Sequence, residues 1–408
     1  MRQRCQKVRR PDKEERDMEI RTRVLELEPE LIALRRDLHR HPELGYEEYR
    51  TSDIVYKYLE ACGLEVERIC KTGVAALIRG GRPGKTLLLR ADMDALPVEE
   101  ETTVDYRSEE AGKMHACGHD AHTAMLLVAA KILAERQEEI SGNIKFLFQP
   151  NEEGTAARDT IREGILENPK VDAAFAMHIW SQLESGKIGI SDGAVMAALE
   201  EFKVTVYGKG GHTGAPYAAI DPVIAGCNIV QAVQQIQTRE MDPREPTVIM
   251  VGRFAAGTAS NVIPDKAVLE GTMRFLYADE ESGKKRLKEK FEKIVQGVCQ
   301  ASSTEYQIEY SGDDSPAVIN DALLAENLRK TAARVVEAKD VVRYSYIAGE
   351  DFAEFTRKVP GVFYFLGSGN VEKDTCYPHH HPKFNVDEEV MKTGVEMHVR
   401  SALDYLRS

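Results

Sequence analysis

One cysteine and three histidines lie within ten consecutive residues of the chain. Residues 114–123 read Met-His-Ala-Cys-Gly-His-Asp-Ala-His-Thr, and cysteine and histidine side chains bind Zn²⁺ and neighbouring transition metals. Apolar residues at helical spacing then predict a helix over 120–134. We expect Cys117 and His119 to alternate in an extended loop leading into this helix, whose dipole favours a thiolate. The alternative is a loop with a structural thiol and surface histidines.

Carboxylates and one further histidine follow directly on three predicted strands. The carboxyl ends of parallel strands meet at one edge of a sheet, where ligands of α/β proteins bind, so we predict one shared site. Adjacent glutamates in a turn project in different directions, so that one can bind a metal ion while the other acts as a general base. Solvated loop acids and a core histidine are the simpler alternatives for these residues: Asp92, Asp94, Glu152, Glu153 and His178.

The alternation of predicted strands and helices indicates an α/β fold class. We expect a mostly parallel-sheet, three-layer catalytic domain formed by residues 18–194 and 311–408. Residues 195–310 contain the order strand, helix, strand, strand, helix, strand, which predicts an inserted ferredoxin-like α+β domain. Residues 1–17 have no apolar core, and we expect a disordered extension there.

Composition and charge exclude several classes of partner. The formal net charge of −13 argues against a nucleic acid or an anionic membrane surface. The seven cysteines are odd in number and scattered, which predicts no disulfide framework and a cytoplasmic protein. The longest apolar run, residues 124–130, is too short to cross a membrane.

Two residues of the inserted domain have side chains suited to binding a substrate. His212 lies in Gly-Lys-Gly-Gly-His-Thr-Gly, where glycines allow close backbone approach and the imidazole could donate to a developing oxyanion. Arg274 could bind a carboxylate through two parallel hydrogen bonds. A hairpin-turn histidine and an ordinary surface arginine are the alternatives.

Eight short motifs occur in order along the chain. They lie at residues 91–97, 114–120, 148–153, 177–178, 210–212, 261–264, 349–352 and 382–384. Together they resemble the aminoacylase/carboxypeptidase family of dinuclear metallohydrolases. The branch most similar contains hippurate hydrolases, auxin–amino-acid conjugate hydrolases and N-acyl-amino-acid amidohydrolases. The resemblance extends from about Leu31 to Tyr405.

The resemblance implies a site for two divalent metal ions, with Zn, Mn and Co all compatible. Cys117 would bridge both ions. His119 and His178 would complete the ligands of one ion, and Glu153 with His380 those of the other.

The resemblance also implies the residues for catalysis and substrate binding. Glu152 would be the general base for metal-activated water, and Asp94 would orient a metal ligand. In dimeric relatives, the histidine that matches His212 reaches in from the partner's lid domain. The scissile carbonyl and the substrate carboxylate would be held by His212, Asn261, Arg274 and the backbone at Gly349.

We therefore expect a metal-dependent amidohydrolase that cleaves N-acyl-L-amino acids to a carboxylate and a free amino acid. A dipeptidase or carboxypeptidase on the same scaffold and a non-catalytic metal-binding protein are the alternatives. The resemblance implies that the inserted domain is a lid or dimerisation domain and that the chain forms a homodimer through it. Asn151 departs from the branch pattern, which usually has alanine beside the predicted catalytic Glu152.

Overall fold

The computed structural model describes residues 13–311 and 315–407. The described chain divides into two compact units. Of the described residues, the first unit comprises 13–192, 320–344 and 354–407, and the second comprises 193–311, 315–319 and 345–353. The short segment 345–353, which contains Gly349, thus belongs to the second unit, whereas the sequence analysis placed it in the catalytic domain.

The strands of both units, numbered along the chain, have these bounds: β1 Glu65–Ile69, β2 Gly73–Arg79, β3 Arg82–Asp92, β4 Ser141–Gln149, β5 Ala173–Glu184, β6 Ile188–Gly189, β7 Gly193–Met196, β8 Ala198–Tyr207, β9 Gly211–His212, β10 Thr247–Ala256, β11 Val262–Ile263, β12 Lys266–Phe275, β13 Glu305–Tyr310, β14 Val318–Asn320, β15 Val341–Val342 and β16 Gly361–Gly369. The α-helices have these bounds: α1 Lys13–Arg40, α2 Tyr49–Ala61, α3 His119–Glu135, α4 Ala157–Arg162, α5 Pro222–Ala232, α6 Glu280–Ala301, α7 Ala322–Ala332, α8 Ala353–Thr356 and α9 Met391–Tyr405. None of the described helices is long and apolar enough to cross a membrane.

The first unit is built on an eight-stranded sheet in the order β1-β2-β4-β3-β5-β16-β6-β15. Its four central strands, β4, β3, β5 and β16, are parallel to one another, while β1, β2 and β6 add antiparallel pairings. Helix α3 is apolar on nearly all sides, as expected for a helix buried among other elements, and it contacts α1, α9 and the sheet. Gly394 permits the close approach of α9, because a Cβ there would lie 2.2 Å from the Met125 sulfur. The predicted α/β class with a mostly parallel sheet is confirmed.

The second unit contains an antiparallel sheet in the order β10-β12-β8-β13. Helices α5 and α6 contact each other and this sheet. Along the chain the elements follow the order β8, α5, β10, β12, α6, β13, which is the predicted ferredoxin-like arrangement. The apolar side chains of β8, such as Phe202, Val204 and Val206, are buried.

The amino-terminal expectation is partly wrong. Residues 1–12 lie outside the described residues, but Lys13–Asp17 form the first turns of α1. Asp17 forms an ion pair with Arg334 at 2.9 Å and another with Arg400 at 3.0 Å. These contacts depend on side chains more than 300 residues away, so local composition gave no sign of them.

Candidate metal centre

Two overlapping groups of potential metal ligands lie in the first unit. Cys117, His119 and His178 form one group, and Cys117, Glu153 and His380 form the other. Within each group the potential ligand atoms lie within 4.8 Å of one another. The structure therefore brings together all five residues that the sequence analysis selected as ligands, and Cys117 belongs to both groups.

A tight turn, and not an extended loop, connects Cys117 to His119. His119 is the first residue of α3, and Gly118 caps the helix with φ +88°. A side chain at Gly118 would be strained in this conformation, and its Cβ would lie 2.6 Å from Ile179 Cγ2. The expected alternation of Cys117 and His119 is therefore wrong, and the glycine turn brings the two side chains together.

His119 is held by Asp94 through one ring nitrogen. Its Nδ1 lies 2.9 Å from the Asp94 carbonyl oxygen and 3.2 Å from Asp94 Oδ1, so Nδ1 carries the donated proton. Its Nε2 is buried without a hydrogen-bond partner among the described residues. Burial alone would lower the pKa of His119, but Asp92, Asp94 and Glu153 raise it to about 10. A buried nitrogen that has no hydrogen-bond partner and is surrounded by carboxylates is suited to binding a cation.

His178 is held in a similar way by its own strand. Its Nδ1 donates to the Ile179 carbonyl oxygen at 2.7 Å, and its Nε2 lies 3.5 Å from Cys117 Sγ. Burial lowers the pKa of His178 well below its usual range, helped by His122 and His379. A neutral imidazole with a free lone pair is the form that binds metals.

The sequence analysis placed His178 at the end of a strand, and this is wrong. Strand β5 continues to Glu184. Its neighbour β3 pairs with it up to Arg90 and Ala176, and Asp92 and His178 each lie two residues further along. The site therefore forms where β3 ends, and β5 extends past it.

Two loops supply the other members of the second group, Glu153 and His380. His380 Nε2 lies 3.0 Å from Glu153 Oε1, and the His380 backbone adopts φ +67° while its N–H donates to the Ala116 carbonyl at 2.8 Å. The Glu153 N–H donates to Asp94 Oδ2 at 3.1 Å. Asp94 thus contacts both groups, through the His119 ring and through the Glu153 backbone.

Cys117 is a buried thiol among acids. Burial raises its pKa well above the usual value, and Glu153, Glu152, Asp92 and Asp94 raise it further. A thiolate at this position therefore requires a nearby positive charge, which the helix dipole alone does not supply. Sulfur, imidazole and carboxylate donors together fit divalent transition metal ions.

Glu152 lies beside the metal-ligand groups. Its carboxylate belongs to a further set with His119 and Glu153, whose potential ligand atoms lie within 4.8 Å of one another. The preceding residue, Asn151, has φ +48°, a conformation that asparagine adopts more readily than alanine. The Asn151 N–H donates to Glu48 Oε1 at 2.8 Å. The local backbone therefore gives a physical reason for asparagine at the position where the sequence analysis noted a departure.

His122 supports the site through Asp92, a role that the sequence analysis did not assign to this histidine. His122 Nδ1 lies 2.6 Å from Asp92 Oδ1, and its Nε2 accepts the Ile179 N–H at 2.8 Å. Both ring nitrogens are therefore occupied, and His122 is not available as a ligand. The Ile179 carbonyl accepts from His178 and also from His379, at 3.1 Å. Only the spacing of His122 after His119 on one helix hinted at this role.

The other predicted substrate-binding residues belong to the second unit. His212 pairs with Val262 beyond the Tyr207–Lys266 end of the β8–β12 ladder, and Asn261 lies next to Val262. Arg274 lies near the other end of β12, about 26 Å away from Lys266 at the usual rise per residue. Within this unit the structure thus brings His212 and Asn261 together but leaves Arg274 at the far end of the sheet. Gly349 lies in the same unit.

Comparison with known proteins gives one consistent result. The model of peptidase family M20/M25/M40 matches residues 88–404. The chain belongs to this family. Family M20 enzymes hydrolyse amide and peptide bonds, so the chain is a metal-dependent hydrolase of such bonds, and the resemblance found from the motifs is confirmed.

Individual relatives of this M20 chain cover between 74% and 95% of it. It is 39% identical over 394 residues to thermostable carboxypeptidase 2 of Saccharolobus solfataricus, covering 95% of this chain and 98% of the relative. It is 41% identical over 306 residues to an N-acyl-L-amino acid amidohydrolase of Geobacillus stearothermophilus, covering 74% and 81%. A dinuclear metal-binding M20 peptidase of Bacillus subtilis has a similar structure, with TM-score 0.81, 32% identity and coverage of 93% and 99%.

Proposed function

We propose that this M20 chain hydrolyses N-acyl-L-amino acids to a carboxylate and a free amino acid. The observation that carries the proposal is the pair of ligand groups that share Cys117, with Glu152 beside them. The Geobacillus relative is named for this activity, and the solved Bacillus relative is described as dinuclear. We therefore propose two divalent ions, Zn, Mn or Co, held by Cys117, His119, His178, Glu153 and His380.

Bound ions would polarise an amide carbonyl and lower the pKa of water in the site. The protein's own contribution is to hold these ligands and to move a proton. Glu152 accepts the proton of the attacking water and returns it to the leaving amine. Asp94 holds His119 in the tautomer that presents Nε2 to the site. In this proposal His212, Asn261, Arg274 and the Gly349 backbone contact the substrate.

Replacing the proposed base tests this function. We expect Glu152→Gln to retain both metal ions and to lose at least about 100-fold in kcat, because general-base catalysis contributes at least that much. Metal content by mass spectrometry and release of amino acid from N-acetyl- and N-benzoyl-amino acids are measured together. Glu110→Gln, an exposed loop glutamate, is the matched control. Unchanged turnover in Glu152→Gln would exclude Glu152 as the base.

The carboxypeptidase alternative is supported by the name of the Saccharolobus relative. Plain dipeptides and N-benzoylated peptides therefore belong in the same substrate panel. Chelator-sensitive release from N-acyl-amino acids supports the proposed function. Cleavage confined to peptides would instead identify the chain as a peptidase.

A further inference from the structure

A cavity in the first unit lies apart from the metal-ligand groups. It has a volume of about 430 Å³, within the range of small-molecule sites. The start of α1, helix α7 and the end of α9 line it, together with Phe175 of β5. Phe175 precedes His178 by three residues, or about 10 Å along the strand, and none of the proposed ligands lines the cavity.

The lining is strongly basic although the whole chain is acidic. Five of its residues are lysine or arginine and one is an aspartate, whereas the chain carries a net charge of −13. The aspartate, Asp404, already contacts Arg334, accepts from Thr331 at 2.7 Å and lies 3.7 Å from Arg16. Lys330 and Arg407 also lie 3.6 Å from Glu326 and Glu139, which are outside the lining, but the lining itself contains more cations than carboxylates.

One buried cation in the lining has an unused donor. Arg16 is 8% exposed, and its Nε has no hydrogen-bond partner among the described residues. A buried guanidinium N–H left without an acceptor is costly. A negatively charged acceptor would satisfy the Arg16 Nε donor and suit the basic lining.

Apolar and aromatic side chains also line the cavity, beside the polar Asn327, Thr331 and Ser401, and they indicate the kind of anion that fits. Phe175, Leu324, Leu328 and Tyr405 contribute to the lining. From this geometry we infer that the cavity binds a small organic carboxylate with an aromatic or aliphatic body.

Calorimetric titration with 4-fluorobenzoate tests the inference on the metal-loaded protein. We expect one saturable binding site that persists when a chelator removes the metal ions. Binding at the metal centre would instead be lost with the metal, so this step distinguishes the two sites. Inorganic phosphate, which lacks an apolar body, should bind at least about tenfold more weakly, because burying the ring stabilises the complex.

Variants locate the site. Arg16→Gln should weaken binding at least about tenfold, as expected for the loss of charged hydrogen bonds. Lys330→Gln, a change at an exposed side chain, should weaken it about two- to fivefold and remains informative if Arg16→Gln does not fold. Lys339→Gln, also exposed, is the control and should bind normally. Absence of binding, loss of binding with chelator, equal binding of phosphate, or full affinity in Lys330→Gln would each overturn the inference.

Discussion

At the residue scale, the metal-ligand groups depend on which nitrogen of each imidazole is occupied. Asp94 takes Nδ1 of His119, and the Ile179 carbonyl takes Nδ1 of His178. Each ring is thereby left with Nε2 for the site. His122, three residues after His119, has both ring nitrogens in hydrogen bonds. It has the same side chain as His119 but no nitrogen left to bind a metal ion.

Protonation of the ligands leads to a prediction about metal binding. The raised pKa values of Cys117 and His119 mean that both carry a proton near pH 7 in the metal-free protein. Metal ligands must be deprotonated, so we expect loading to release about two protons. Calorimetry in buffers of different ionisation enthalpy measures this number.

Two variants serve to assign the released protons. Cys117→Ala should release about one proton fewer than the unmodified protein, although it will also bind metal more weakly. Cys227→Ala, which changes an exposed free thiol, should release the same number as the unmodified protein. An equal release from Cys117→Ala would contradict its role as a ligand.

At the element scale, buried polar contacts fix the helix that begins at His119. Arg35 of α1 donates from Nε to Asp120 Oδ2 at 2.8 Å, and His39 Nδ1 lies 2.7 Å from the same oxygen. Arg35 and Asp120 are fully or almost fully buried. Removing one partner of a buried ion pair is strongly destabilising, because the other charge is left buried without compensation. These contacts therefore hold the start of α3 against α1.

Helix α9 carries a buried histidine that makes stability depend on pH. His398 is 2% exposed, and its Nδ1 has no partner among the described residues. Burial, with a smaller contribution from His122, lowers its pKa to about 3. The ring stays neutral in the fold, whereas the unfolded chain takes up a proton below about pH 6.5. Stability therefore decreases as the pH falls from that value toward 3.

The His398→Leu variant tests this dependence. Between pH 6 and 4 we expect the free energy of unfolding to fall less steeply in the variant, by about 1.4 kcal/mol per pH unit. Urea unfolding at fixed metal concentration measures the slope. His41→Leu, a change at a partly exposed histidine, is the control. Identical slopes for His398→Leu and the unmodified protein would contradict the prediction.

At the scale of the whole molecule, the second unit has features of an interaction surface. Strand β10 is at the edge of its sheet, and its Met250 is 55% exposed. Exposed edge strands with apolar side chains pair readily with another chain. His212 lies in the two-stranded β9–β11 sheet, beyond one end of the four-stranded sheet, and Arg274 lies near the other end, so one copy of this unit does not present both to a single small substrate.

These observations support the proposed homodimer through the second unit. We expect a particle of twice 45.6 kDa by light scattering, and we expect Met250→Lys to shift it toward the monomer. Leu323→Lys, a charge placed on a 70% exposed leucine of the first unit, is the control and should not change the mass. A monomeric unmodified protein would contradict the proposal.

Local sequence patterns were sufficient to predict the class of fold, the family and a set of candidate metal ligands. The periodicity of strands and helices is a property of short stretches of sequence. The polar motifs are also short stretches, so Cys117, His119 and Glu153 could be predicted as metal ligands without coordinates. The ferredoxin-like order was visible for the same reason, because it follows from the succession of elements along the chain.

The extent of β5, the helical conformation of Lys13–Asp17 and the supporting role of His122 depend instead on tertiary contacts. Strand length at His178 depends on pairing with β16, and the first turns of α1 depend on distant arginines. The roles of His119 and His122 differ through contacts with Asp94, Asp92 and the Ile179 peptide. Such contacts join residues that are far apart in the chain, so they cannot be predicted from local sequence patterns.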